Sequence, residues 1–231
     1  MFKIGFIGAY EKTDLILQIA KLITAVGKKV LIIDSTLNQK TKYIVPFIKP
    51  TKTYITEFED IDVAVGFESF EQINEYLGEE SIENQYDFEL IDVDDSKGYA
   101  EYRMESARIN YFVTSFDIYS LKKGIEILSG IKQPQKLKKV IYSNNTDPAE
   151  DEYLNFLSAN YKIVWDEDKI YFPYTQEDRE AIIENQREAK IKFKNLTQQY
   201  KECLVYITNQ ILGNSNANVL RKTLKNIDKG V

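Results

Sequence analysis

The chain has 231 residues, of which 43% are hydrophobic and 29% charged, with one cysteine and no histidine. So large an apolar share excludes a disordered chain, and the lone Cys203 excludes an internal disulfide or a thiolate cluster, which points to a reducing cytoplasm. The missing histidines remove Ser-His-Asp triads and imidazole zinc sites, and a net charge of -6 argues against nucleic acid as a partner of the whole surface.

Taken in chain order, Phe2 to Ile7 is a short apolar run ending at Gly8, as a buried strand would be. It reads as a strand rather than a signal peptide or a membrane span. Leu15, Ile16, Ile19, Leu22, Ile23 and Val26 recur at spacings of three and four, which predicts a helix stopped by Gly27. Val30 to Asp34 is apolar on both faces, as parallel strands covered by helices are. Residues 53–66 predict one or two short strands, and Ser69 with Gln72 has the capping-box spacing of a helix ending near Gly78. Phe88 to Val93 and Ile109 to Thr114 are further strands, the second followed by a helix carrying Leu121, Ile125 and Leu128. Leu137 to Tyr142 is a strand, and Asp147-Pro148 opens a helix with Tyr153, Leu154 and Leu157. Tyr161–Trp165 and Ile170–Tyr174 flank the acidic turn Asp166-Glu167-Asp168 and predict a hairpin. Helices follow at roughly 176–190, 195–212 and 218–228. Alternating strands and helices imply an α/β domain, a mostly parallel sheet with helices on both faces, spanning 1–213 with a basic tail at 214–231.

In such a sheet, ligands sit at the C-terminal ends of the strands. Gly8-Ala9-Tyr10-Glu11-Lys12-Thr13 occupies that place after the first strand. A Lys-Thr pair opening a helix is where backbone N–H groups, Lys12 and the Thr13 hydroxyl would take phosphate and magnesium. Alone, the motif is equally a tight turn with an exposed lysine.

The run IGFIGAYEKTDLILQIAKLITAVGKKVLIIDSTLNQ resembles the start of the ParA/MinD family of deviant P-loop ATPases. Ile7 to Asp14 falls on that family's KGGxGKTT without a gap, and Asp34-Ser35-Thr36 falls on its DxD. YDFELIDVDDS is similar to its YDxIIIDxPP, which sets Asp92 at the Walker-B aspartate, and KKVIYSNNTDP places Asn144 where relatives approach the base. The resemblance implies ATP or ADP with Mg²⁺, with Gly8, Ala9, Glu11, Lys12, Thr13, Asp34 and Asn144 around the nucleotide and Thr13 and Asp92 at the metal. It also implies protein partners and a homodimer.

The departures from that pattern matter as much. The signature lysine is Ile7, the second glycine is Ala9, the glycine before the P-loop lysine is Glu11, and the catalytic aspartate is Thr36. A side chain where glycine is favoured predicts backbone strain. Glu11, Asp34, Asp92, Asp94 and Asp95 would crowd one lysine, and like charges at ~4 Å repel by up to ~4 kcal/mol at an effective dielectric near 20. The expectation is therefore a degenerate member, comparable to the TadZ/CpaE group, that positions or regulates a larger assembly with little or no ATP hydrolysis and with nucleotide absent or structural. The alternative is an active ATPase whose dimer is switched by ATP, for DNA partition, division-site placement or secretion and pilus positioning. Leu220, Leu224 and Ile227 share a face of the basic tail, which predicts either a weak membrane contact or a frayed end.

Overall fold

Strands and helices alternate along the chain as β1 (Phe2–Ile7), α1 (Thr13–Thr24), β2 (Val30–Asp34), α2 (Thr41–Ile44), β3 (Tyr54–Phe58), β4 (Ile61–Val65), α3 (Phe70–Leu77), α4 (Ile82–Gln85), β5 (Phe88–Val93) and α5 (Ser96–Glu101). They continue as β6 (Ile109–Ser115), α6 (Ile118–Ile127), β7 (Gln135–Tyr142), α7 (Pro148–Ser158), β8 (Ile163–Phe172), α8 (Gln176–Glu188), α9 (Gln198–Ile211) and α10 (Ala217–Ile227). The computed structural model describes residues 1–46, 52–78, 82–144, 148–173, 175–214 and 216–229. The predicted positions Asp147 and Tyr174 lie outside them.

Eight strands form one sheet in the order β3-β4-β2-β5-β1-β6-β7-β8. Every pairing is parallel except β3 with β4, a hairpin closed by Glu59 and Asp60 at φ 55 and 65, the left-handed geometry that matches strand twist in a tight turn. β1 lies between β5 and β6, with Ile4 opposite Leu90 on one side and Ile109 on the other. Side chains of a strand alternate between faces, so β1 feeds two cores. Ile4 and Phe6 pack with α1, α9 and α10, whereas Ile7 joins Ile91, Val93, Leu121 and Ile125 on the opposite side. The three-four spacing in α1 buries Leu15, Ile16, Ile19, Leu22 and Ile23 as expected, each side chain contributing about 1.5–3 kcal/mol. Half of the predicted capping box forms, with Ser69 accepting from the Gln72 amide, while the Gln72 side chain accepts from the amide of Glu68, one residue ahead of the cap.

Two expectations change. The predicted hairpin at 161–174 is instead the single strand β8, parallel to β7, with Leu137 opposite Trp165 and then Lys139 opposite Lys169. Residues 166–168 bulge out between those pairs, because Lys136 and Lys138 of β7 both reach Asp166 (2.8 and 3.2 Å) and hold the acidic stretch against the sheet. Secondly, the helix expected near 218–228 forms as α10, but it is neither frayed nor free, because its Leu220 and Leu224 are buried in the core with α9 and α1. Arg221 pairs with Glu202 of α9 at 2.8 Å and Lys201 with Asp228 at 3.4 Å, so the apolar face that a membrane would require is turned inward. No helix among the described residues is long and apolar enough to cross a membrane.

Candidate functional site

Gly8 follows β1 directly and is pinned between the neighbouring strands. Its amide donates to the Val93 carbonyl at 3.0 Å, its φ is +148, and a Cβ there would lie 2.1 Å from the Val113 carbonyl oxygen. Only glycine fits that approach. The chain then turns through Ala9, Tyr10 and Glu11, with Tyr10 stacked on Tyr142 of β7 at 4.9 Å between ring centres. Neither Ala9 nor Glu11 has positive φ, so the strain expected from losing the family's glycines is not found.

Lys12 caps α1 by position alone and folds its side chain back into the loop. Its Nζ donates to the Gly8 carbonyl at 2.8 Å and lies 2.7 Å from Asp92 Oδ1, both side chains being 3% exposed. Burial pushes the Asp92 carboxyl up to about 6, against the pull of the Lys12 ammonium, and Asp34 adds to the upward push. Glu11 turns onto the start of α1, where one carboxylate oxygen accepts from the Thr13 amide at 3.0 Å and the other pairs with Lys40 from the loop after β2. An amide at a helix N-terminus is where an anion binds, and here a carboxylate of the same chain is already on it.

Asp34 ends β2 and is fully engaged. One oxygen accepts from the Thr36 amide and hydroxyl at 3.1 and 2.6 Å, and the other from the Thr41 amide at 3.0 Å. Asp94 accepts from the Leu37 amide at 2.9 Å, and desolvation raises its pKa. Asp95 instead caps α5 through the Gly98 amide at 2.6 Å.

These groups border a cleft of about 170 Å³, below the ~300–1,000 Å³ of most small-molecule sites. Of the predicted site residues, Ala9, Glu11, Lys12, Thr13 and Asp92 line it. Gly8 and Asp34 shape its wall without lining it, and Asn144, exposed two residues past β7, stands outside the lining. The expected crowding of five acids on one lysine is corrected. Three carboxylates, Glu11, Asp92 and Asp94, face three lysines, Lys12, Lys40 and Lys123. Lys40 and Lys123 escape a motif search because they arrive from separate loops and helices; Tyr119, beside Lys123 on α6, is the cleft's other unforeseen wall. Thr13 and Asp92 share the cleft, a donor pair suited to a magnesium ion that keeps phosphate and water as its other ligands. Among the described residues no three-carboxylate cage competes with that arrangement.

No protein-family model matches the sequence, and no curated protein matches it. Solved structures do. The MinC:MinD cell division complex of Aquifex aeolicus aligns at TM-score 0.60 and 13% identity over 93% of this chain and 97% of that one. A ParA family ATPase from Chlorobium tepidum aligns at 0.60 and 13% over 90% and 98%. The ATP complex of a Cyanothece McdA variant aligns at 0.58 and 10% over 93% and 97%. The fold is that of the ParA/MinD-like P-loop ATPases.

Proposed function

We propose that this chain is a ParA/MinD-like positioning protein whose phosphate loop is self-occupied, so that it acts through protein partners with little or no ATP turnover. The observation that carries this is Glu11: its carboxylate takes the Thr13 amide at 3.0 Å and holds Lys40 as well. An incoming phosphate must displace that carboxylate and then lie beside it. Lys12, the remaining phosphate ligand, is engaged by Asp92 and the Gly8 carbonyl. When bound, nucleotide with magnesium would supply a negative charge that draws Lys12 outward; Thr13 and Asp92 would hold the metal. Leu37 and Tyr119 line this cleft and are exposed at 72% and 66%, an apolar rim suited to a protein partner or a second copy.

An active, ATP-switched dimer is supported by a different observation, the convergence of Lys12, Thr13 and Asp92 in one cleft with Lys40 and Lys123 balancing its charge. Calorimetry with Mg-ATP separates the two. In the self-occupied protein, Glu11→Gly raises affinity for Mg-ATP by about tenfold or more, and Glu11→Gln does so comparably, because charge rather than strain is removed. The wild type hydrolyses ATP no faster than Thr13→Ala. A Thr13-dependent turnover, with mass doubling in light scattering only when Mg-ATP is added, establishes the switched ATPase instead.

A further inference from the structure

At the opposite end of the sheet, β1 and β5 break their own apolar pattern. Lys3 stands beside Glu89 in register, on the face that continues upward as Ile7, Ile91 and Val93. Glu89 is 0% exposed, and neither of its carboxylate oxygens accepts a hydrogen bond. Lys3 does not supply one. Its ammonium donates to the Tyr102 carbonyl at 2.9 Å and lies over the Phe70 ring, 4.1 Å from the centre. A buried carboxylate without a donor costs several kcal/mol in principle, so such groups ordinarily have partners. Desolvation holds Glu89 up at about 7, with the Lys3 charge pulling the other way.

Glu89 lines a pocket of about 370 Å³, more than twice the volume of the cleft at the other end and within the range of small-molecule sites. Phe2, Lys3, Phe70, Arg103 and Arg108 also line it. Arg103 is paired with Glu71 at 2.8 Å. Arg108 is not paired; its guanidinium carbon lies 4.2 Å from the centre of the Phe2 ring, and among the described residues it has no carboxylate partner. The pocket thus offers a buried anion lacking a donor and a rim cation lacking an acceptor. A free anion would meet the Glu89 charge, and no three-ligand metal cluster exists among the described residues.

We propose that this basal pocket binds a small zwitterion of the α-amino-acid type, its ammonium seated on Glu89 and its carboxylate on Arg108. The ammonium gives the buried oxygens the donors they lack, and the guanidinium takes the carboxylate in the two-pronged geometry it favours. Both Glu89 oxygens are hidden from solvent, and Lys3, held by one hydrogen bond and the Phe70 ring, is the flexible side chain that yields on entry. The site is independent of the phosphate loop and stands whether or not nucleotide binds there.

The test is calorimetric titration of the full chain with each free amino acid, and with the N-acetylated and amidated form of any that binds. The expected result is saturable binding of at least one free amino acid, lost on N-acetylation and weakened on amidation. Glu89→Gln weakens binding by about tenfold or more and Arg108→Ala by a few-fold, while Glu11→Gly leaves it unchanged. If no free amino acid saturates at millimolar concentration, or the N-acetylated form binds equally, the proposal is overturned. Should Glu89→Gln fail to fold by circular dichroism, Arg108→Ala at its exposed position decides, and unchanged affinity there also overturns it.

Discussion

The two ends of the central strands use charge in opposite ways. At the C-terminal end, Lys12, Asp92, Glu11, Lys40 and Asp34 each have an internal partner, and the cleft they border is small. At the N-terminal end, Glu89 is equally buried but has no donor, and the space beside it is larger. The contrast teaches that a motif's location and a site's unmet hydrogen-bonding capacity are separate matters. Satisfied groups resist a ligand because each contact must be exchanged for a new one, whereas an unsatisfied group gains outright.

The sharpest way to break this comparison is to remove one partner at the satisfied end. Lys12→Met leaves Asp92 buried opposite nothing, and losing one member of a buried ion pair costs about 3–5 kcal/mol. The loss depends on pH in a defined direction. Asp92 already sits at about 6, above its ordinary value, so the folded state holds its proton more tightly than the unfolded one. Without the Lys12 pull the variant's Asp92 takes up its proton above about 6, so falling pH relieves the variant. Urea unfolding should show the full loss at pH 8 and a much smaller one at pH 5. An equal loss at both would mean that Lys12 acts through packing, and the contrast between the two ends would lose its electrostatic basis.

The unsatisfied end should respond with the opposite sign. Glu89→Gln removes a buried charge that has no partner and should stabilise the unliganded protein by about 1–3 kcal/mol at pH 8. Because the Glu89 pKa is raised to about 7, the wild type regains stability as pH falls from about 7 toward its unfolded value, and the advantage of the variant shrinks over that window. Asp14, raised by burial to about 6, contributes to the same trend in both proteins. Thermal melts of the pair from pH 8 to pH 5 measure it. A variant less stable than wild type at pH 8 would show that Glu89 is well solvated where it stands.

How much of this was readable beforehand follows from distance along the chain. The βαβ units were legible because the all-buried strands β2 and β5 and the three-four face of α1 are local patterns. The loop from Gly8 to Thr13 was legible as a place, because a strand, a glycine and a helix start are contiguous. Its contents were not. Lys40 meets Glu11 across 29 residues, and Thr41 satisfies Asp34 through an irregular loop that no periodicity describes. The bulge in β8 depends on lysines of a neighbouring strand, which made an acidic turn look like a hairpin. Likewise, the basic face of α10 suggested a frayed or membrane-touching end because the acidic partner of Arg221, Glu202, lies on α9. Glu89 went unnoticed for the reverse reason: one acid in FELIDV does not disturb an otherwise apolar strand, and only packing reveals that it lacks a donor.

The smallest expected effect concerns the contact that separates an occupied loop from an open one. Lys40 and Glu11 are 51% and 41% exposed, and such pairs contribute only about 0.2–1 kcal/mol to stability. Lys40→Met should thus leave the melting curve nearly unchanged, less so at low salt than at high salt, where screening already weakens the pair. Binding is where the pair should matter. With Glu11 present, Lys40 neutralises a carboxylate that would otherwise face phosphate; with Glu11 replaced by glycine, Lys40 is free to meet the phosphate itself. Both effects make Lys40 favourable to nucleotide, but the second is direct and should be larger. The affinity gained by Glu11→Gly should therefore fall when Lys40→Met is present as well, a coupling that a double-mutant cycle of Mg-ATP affinities measures. Strict additivity would mean that the two side chains meet at the surface without bearing on the phosphate site, and that the block at Thr13 is the work of Glu11 alone.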